Sequence, residues 1–267
     1  MKRTVTNCSV AIIVALIVSI GVCQAASPLS VGDLKCEYKT NPLGIGVAKP
    51  RLSWKIEASE KGTMQKAYRI RTATAVEDLG RRRYQLWNSG RVNSDQSVHV
   101  VYDGPALEPR QRVWWQVRVW DNHGGVSEWS EPAYWEMGLL KAGAWTASWI
   151  EPNLKENPKA SNPCPMLRKE FRLDGAVKSA RAYVTSRGLY RMEINGQVVG
   201  DQLFTPGWTA YLHRLQYQTY DVTDLLKDGD NCVGATLGDG WYRGRLVWQD
   251  RRNLYGSKAG LLAQIEV

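Results

Sequence analysis

The regularity that constrains this chain most is a period of two. Between Val113 and Trp120, Val113, Trp115, Val117 and Val119 fall on one side of an extended chain, and Trp114, Gln116, Arg118 and Trp120 on the other. Successive strand side chains point to opposite faces, so this alternation marks a half-buried strand and argues against a helix. The same pattern sets Leu52, Trp54 and Ile56 against Arg51, Ser53 and Lys55, and Tyr68 and Ile70 against Arg69 and Arg71. Val98, Val100 and Tyr102 share a face in the same way. Turn sequences separate the runs: Asn88-Ser89-Gly90, Asp103-Gly104-Pro105 and Asn122-His123-Gly124-Gly125. No helix-period stretch of useful length occurs before residue 140. Short strands at this spacing predict an antiparallel sandwich over residues 27–138.

Residues 139–165 interrupt the pattern and form a junction rich in Gly, Ala, Asn and Pro. It holds Trp145 and Trp149, which a purely flexible linker would not need, so both are expected to wedge two domains together. Alternation resumes over 166–267. Ala180, Ala182 and Val184 oppose Arg181 and Tyr183, while Tyr190, Met192 and Ile194 oppose Arg191 and Glu193. Asn195-Gly196 then signals a two-residue hairpin. Thr223 to Gly229 reads as one capped helical turn, and Leu261–Val267 as a strand. The expected fold class is all-β: two sandwiches in tandem, the second C-terminally incomplete and the front part of a longer protein.

The start of the chain reads as an address. Lys2 and Arg3 precede an apolar run from Val10 to Ile20, of signal-peptide length and too short to span a membrane. Cys23-Gln24-Ala25 places cleavage after Ala25, making residues 1–25 a signal peptide and the product exported, periplasmic or extracellular, with no membrane association after cleavage. Lipid attachment at Cys23 fits less well, because Val22 stands where a small residue is wanted. Cleavage would leave Cys36, Cys164 and Cys232, which allow one disulfide or three thiols and contain no CxxC for zinc. The formal charge of +9 is dispersed along strands, and its longest run is only Arg81-Arg82-Arg83, so nucleic acid is not an expected partner. His99, His123 and His213 are scattered, and neither a Gly-x-Ser-x-Gly elbow nor a phosphate-cradling glycine loop occurs. No cofactor and no metal are expected.

Two stretches carry a resemblance. Leu107-Glu108-Pro109, Val113 to Asp121, Gly124 and Ser127-Glu128-Trp129-Ser130 resemble a fibronectin-type-III-like module, except that Val113 stands where such modules usually carry the tyrosine of the corner. Further on come Gly188-Leu189-Tyr190, Ile194-Asn195-Gly196, Val199-Gly200-Asp201, Pro206-Gly207-Trp208-Thr209, Tyr217 to Thr223 and Leu237-Gly238-Asp239-Gly240-Trp241-Tyr242. In this order they resemble the N-terminal jelly-roll domain of bacterial α-L-rhamnosidases, glycoside hydrolase family 78. The resemblance implies hydrolysis of terminal α-L-rhamnose with inversion, by two carboxyl groups on an (α/α)6 barrel far downstream. The acidic motif of that barrel is not found in these residues. The chain is therefore expected to be the non-catalytic front of such an enzyme, inactive alone, with a rhamnose-containing glycan or glycoside as partner of the full-length protein. A freestanding carbohydrate-binding sandwich and a protein-interaction module are the alternatives. A rhamnose titration separates these last two, and sequence beyond codon 267 tests the first.

Five residues are candidates for sugar contact: Asp201, Trp208, Asp239, Trp241 and Tyr242. Asp239-Gly240 is expected to make a turn that exposes a carboxylate beside Trp241. A carboxylate takes sugar hydroxyls, and an indole covers the apolar face of the ring. Against this stands packing of Trp241 on a neighbouring domain and of Trp208 in the core. Asn195, Asp201 and Asp239 carry oxygens that suit calcium, but no residue string reads as a calcium loop. Trp114 and Trp120, outward by alternation, are expected to meet another domain more readily than a sugar.

Overall fold

In the computed structural model, the described residues are 29–157, 159–246 and 248–267. The leader reading and Cys8 and Cys23 lie outside them. The first sandwich comprises β1 (Leu29–Cys36), β2 (Arg51–Ala58), β3 (Gln65–Ala73), β4 (Gln85–Asn88), β5 (Val100–Val101), β6 (Arg112–Asp121) and β7 (Ala133–Glu136). The second comprises β8 (Met166–Leu173), β9 (Arg181–Arg187), β10 (Leu189–Ile194), β11 (Gln197–Val198), β12 (Gln218–Asp221), β13 (Gly229–Gly238) and β14 (Gly260–Glu266). A single α-helical turn, α1 (Gly240–Arg243), follows β13. All the strand pairings are antiparallel.

In the first sandwich a β1-β2-β5 sheet faces a β4-β3-β6-β7 sheet. The inward set of β6 follows the alternation: Val113, Trp115, Val117 and Val119 are fully buried, against Trp54, Ile70 and Trp135. The Trp54 indole N–H donates to Gln65 Oε1 at 2.9 Å, so this large ring is buried with its polar edge satisfied. With Val113 in place of a tyrosine, the corner is closed by Gln111. Its backbone N–H donates to the Glu108 carbonyl at 3.2 Å, and its side-chain oxygen accepts the Glu108 N–H at 2.8 Å.

The outward tryptophans of β6 find partners within the sandwich. Trp114 packs against Tyr134 at 5.0 Å, and the Arg91 guanidinium lies 4.8 Å over Trp120. Arg71 and Arg118 both cover Trp129, at 4.0 and 4.9 Å. These cation–π covers come from the sandwich itself.

In the second sandwich a β11-β10-β13-β8 sheet faces a β12-β9-β14 sheet over a core that includes Val184, Met192, Ile194 and Leu237. The β10–β11 turn has Asn195 at φ 51° and Gly196 at φ 81°, the left-handed pair that a two-residue hairpin matched to strand twist requires. Residues Thr223–Leu225 form a short 3-10 turn. Its expected cap, Thr223, uses its hydroxyl elsewhere, accepting the Ala180 N–H at 2.9 Å.

Strand β9 is buried on both faces. One face enters the core, and the other meets the first sandwich and the junction. Trp145 packs edge-on to Tyr217 at 5.3 Å and lies 6.5 Å from Tyr183. Trp149 sits under the Arg187 guanidinium at 4.6 Å. The Gln264 side-chain oxygen accepts the Thr146 N–H at 2.7 Å, and the Tyr217 hydroxyl accepts the Leu139 N–H at 2.7 Å. A Cβ on Gly138 would lie 2.2 Å from that hydroxyl, which explains the glycine there. Glu136, almost wholly buried, takes Arg112 at 2.9 Å from its own sandwich and Arg181 at 2.7 Å from the other. Arg110 pairs with Glu266 across the same seam, holding the Glu266 carboxyl below the ordinary carboxylate value. Hydrogen-bonded charges and interlocked rings thus join the two sandwiches.

Candidate sugar-contact surface

The loop from Asp201 to Tyr217 leaves the short strand β11 and returns to β12. It is pinned to β10 at Thr205, whose hydroxyl donates to the Tyr190 carbonyl at 2.9 Å and whose carbonyl accepts the Tyr190 N–H at 3.0 Å. Gln218 holds the next residue by donating to the Pro206 carbonyl at 3.2 Å. On this anchor Phe204 and Trp208 stand outward, 66% and 57% exposed.

The turn after β13 delivers Trp241 to the same place. Gly240 adopts φ 51°, and a Cβ there would lie 2.6 Å from Leu189 Cγ, so a side chain is excluded twice over. Trp241 then stacks on Trp208 with ring centres 5.9 Å apart and planes only 8° from parallel. Phe204 meets Trp241 edge-on at 6.1 Å. Phe204 and Trp208 of one loop and Trp241 of a distant turn thereby form one aromatic platform.

The other candidates take different places. The Asp239 carboxylate is not held out to solvent by its turn. Oδ1 accepts Arg243 Nε at 2.6 Å, and Oδ2 accepts an Arg252 terminal nitrogen at 2.6 Å. Glu156 completes the cluster by binding Arg243 at 2.5 and 2.9 Å, which places the Glu156 carboxyl below its ordinary value. Arg243 is only 3% exposed, so the two carboxylates neutralise a guanidinium that could not be buried alone. Asp239 thus anchors the turn that presents Trp241. Tyr242 packs behind it, edge-on to Tyr211 at 5.3 Å, and Tyr211 also meets Tyr255 at 5.0 Å. Asp201 is exposed at the start of the loop.

The three calcium-type oxygens do not converge. The Asn195 oxygen accepts the Cys232 N–H at 2.9 Å, and its amide donates to the Leu225 carbonyl and to Asn231. Among the described residues no group of three or more Asp, Glu, His or Cys is placed to hold a metal ion. Cys36, Cys164 and Cys232 are all free thiols, and burial pushes the Cys36 thiol up. Sequence reasoning missed Phe204, Arg243, Arg252 and Glu156. A signal existed for the first, because Phe204 is one of only two Phe and sits in a loop rich in turn residues. For the ion cluster the sequence offered only the four-residue spacing of Asp239 and Arg243, while Arg252 and Glu156 lie too far along the chain to signal it.

Two tandem antiparallel sandwiches, welded by a charged seam and carrying an aromatic platform on the second, define a class of modular β-protein. The models of known families divide the chain in the same way. Residues 31–141 match the Rha78A-like N-terminal immunoglobulin domain, and residues 175–267 match the α-L-rhamnosidase N-terminal domain. By these two matches the chain carries the pair of N-terminal domains described for α-L-rhamnosidases. An α-L-rhamnosidase of Formosa agariphila is 38% identical over 233 residues, covering 85% of this chain and 25% of that protein. One from an Alteromonas species is 37% identical, with the same two coverages. Among solved structures, the α-L-rhamnosidase of Aspergillus terreus superposes with a TM-score of 0.79 at 36% identity, over 89% of this chain and 27% of that one. The Streptomyces avermitilis α-L-rhamnosidase, solved with L-rhamnose, also gives 0.79 at 26% identity, over 89% of this chain and 39% of that one. The chain spans about a quarter of the length of the curated relatives first named.

Proposed function

We propose that this chain is the non-catalytic front of an exported α-L-rhamnosidase, an enzyme releasing terminal α-L-rhamnose from glycosides or polysaccharides. Its work is to place domains and to touch sugar. Relatives of four times the matched length supply the hydrolytic reading, and the basic, then apolar, start of the chain supports export. The observation that carries the sugar-contact reading is the exposed Trp208–Trp241 stack with Phe204 at its edge. Rhamnose, a 6-deoxy sugar, offers a methyl group and an apolar C–H face that lie flat on an indole, while its hydroxyls remain free for Asp201 and water.

The test is a tryptophan-fluorescence titration of the chain with L-rhamnose and with glucose, in the wild type and in Trp208→Ala. The reading expects a saturable response to rhamnose that the substitution removes, together with no turnover of an aryl rhamnoside. A response equal for both sugars, or kept in Trp208→Ala, sinks sugar contact at this platform. Turnover by the purified chain sinks the non-catalytic assignment.

A further inference from the structure

The chain spreads its basic residues along its strands, and the first sandwich gathers four of them on one face. In the β4-β3-β6-β7 sheet, Arg69 and Arg71 of β3 point outward, about 7 Å apart along the strand. Arg118 of β6 lies directly opposite Arg69 in the antiparallel register. Arg91 joins them from the segment that bridges to Tyr68 at Val92, with its guanidinium over Trp120 of β6. Like charges directly opposite across two strands weaken a sheet. Stability therefore does not account for the Arg69–Arg118 pair.

These cations meet little opposite charge. Among the described residues, Glu128 is the one carboxylate within ion-pair distance of the four, 3.6 Å from Arg118, and its side chain is 88% exposed. Their other partners are neutral. Arg69 Nε donates to Asn88 Oδ1 at 2.9 Å, and Arg71 donates twice to Gln116 Oε1, at 3.0 and 2.6 Å. Arg71 and Arg118 lie on Trp129. Amide oxygens and rings fix the direction of a guanidinium and leave its charge unanswered. Arg118 Nε is buried with no hydrogen-bond partner. Burial, and then the charges of Arg118 and Arg69, push the Arg71 guanidinium below its ordinary value. The cations complete this face as an apolar surface, but they leave it unbalanced in charge.

We propose that this arginine face docks an acidic polysaccharide, a chain that repeats carboxylates along sugar rings. A carboxylate matches the fork of a guanidinium, and an array spread over three segments suits an extended polyanion better than one small anion. The β3–β6 surface is a sheet face, which suits a chain laid across it rather than a duplex groove that needs an inserted element. The glycan reading above selects sugar carboxylates over phosphates. The array itself does not depend on the Trp208–Trp241 platform, so a failed rhamnose titration leaves it standing.

Calorimetry of the chain with polygalacturonate tests it, with dextran as the neutral polymer and duplex DNA as the phosphate polyanion. Polygalacturonate is expected to bind and dextran not, with affinity falling roughly tenfold or more between about 50 and 200 mM salt. Arg69→Gln with Arg91→Gln should weaken binding roughly tenfold, the order of two lost charge-assisted contacts. The melting temperature should hold or rise, because a like-charge pair is relieved. Arg69→Gln by itself, which leaves Trp120 and Trp129 covered, should weaken binding several-fold and covers the case in which the double variant fails to fold. Arg168→Gln with Lys169→Gln, on β8 of the other sandwich, removes the same charge and should leave binding unchanged. The proposal is overturned if polygalacturonate does not bind, if the β8 pair costs as much as the Arg69 and Arg91 pair, or if DNA binds as tightly as the polysaccharide. A lower melting temperature with unchanged binding would make the arginines structural and overturn it as well.

Discussion

The two sandwiches use similar strands to opposite ends. In the first, the outward aromatics are roofed by residues of the same sandwich: Arg71 and Arg118 on Trp129, Arg91 on Trp120, Tyr134 on Trp114. In the second, Phe204 and Trp208 stand in solvent and the β8–β14 side shows an apolar groove. Exposed apolar area of this kind marks a surface with a partner, whereas a cation-covered face is finished. Under the function proposed above, the first sandwich is a support and the second a surface to be used, and the seam joins them.

The contrast breaks most severely if the support is not self-sufficient. Trp115→Ala removes a fully buried ring from the first core and should cost about 3–5 kcal/mol, read as a lower melting temperature. Should the second sandwich keep its own transition in that variant, the support role is wrong. Next in size is the seam. Glu136→Gln leaves Arg112 and Arg181 without their shared charge, and breaking a buried pair of this kind costs about 3 kcal/mol. The expected result is a melt that splits in two as the sandwiches uncouple; a single transition at the wild-type temperature would place the coupling elsewhere.

Acid should loosen the seam more gently. Arg110 holds Glu266, and Arg243 holds Glu156, below the ordinary carboxylate value of 4.5. A depressed folded-state value means that the unfolded chain binds protons first as pH falls, so this stabilisation is present above about pH 4.5 and is lost through the lowered values. Melting temperature should hold from about pH 7 to 5 and drop below that, with a shallower drop in Arg110→Gln. An unchanged drop would remove Glu266 from the explanation. The smallest effect on stability belongs to Trp208→Ala, less than about 1 kcal/mol because the ring is largely exposed. A larger loss would mean that the platform is part of the core.

Much of the fold is legible in the residues. Alternation over Val113–Trp120 and Tyr190–Ile194 sorts inward from outward side chains, and the Asn195-Gly196 hairpin closes where that pair demands. Strand β9 shows the limit of the method. Tyr183 alternates with the core set of Val184 and its neighbours, which reads as a solvent face, yet it is fully buried because the junction and first sandwich lie over it. Alternation reports which residues share a face, and it does not report what covers that face.

The site divides the same way. Trp208 and Trp241 could each be singled out by residue type and setting, but the stack they form depends on Gly240 bringing a turn against Leu189 of another strand. Asp239 reads as an open carboxylate although Arg243 stands four residues on, because the turn that brings the two together is closed by Arg252, thirteen residues away, and by Glu156 in another segment. By itself, the amino-acid order determined strands, turns and the division into two β-modules, since these follow from contacts along a few consecutive residues. Only the tertiary structure decided which face became the seam, which carboxylate met an arginine and which edge stayed open, because those outcomes belong to pairs of residues that chain order keeps far apart.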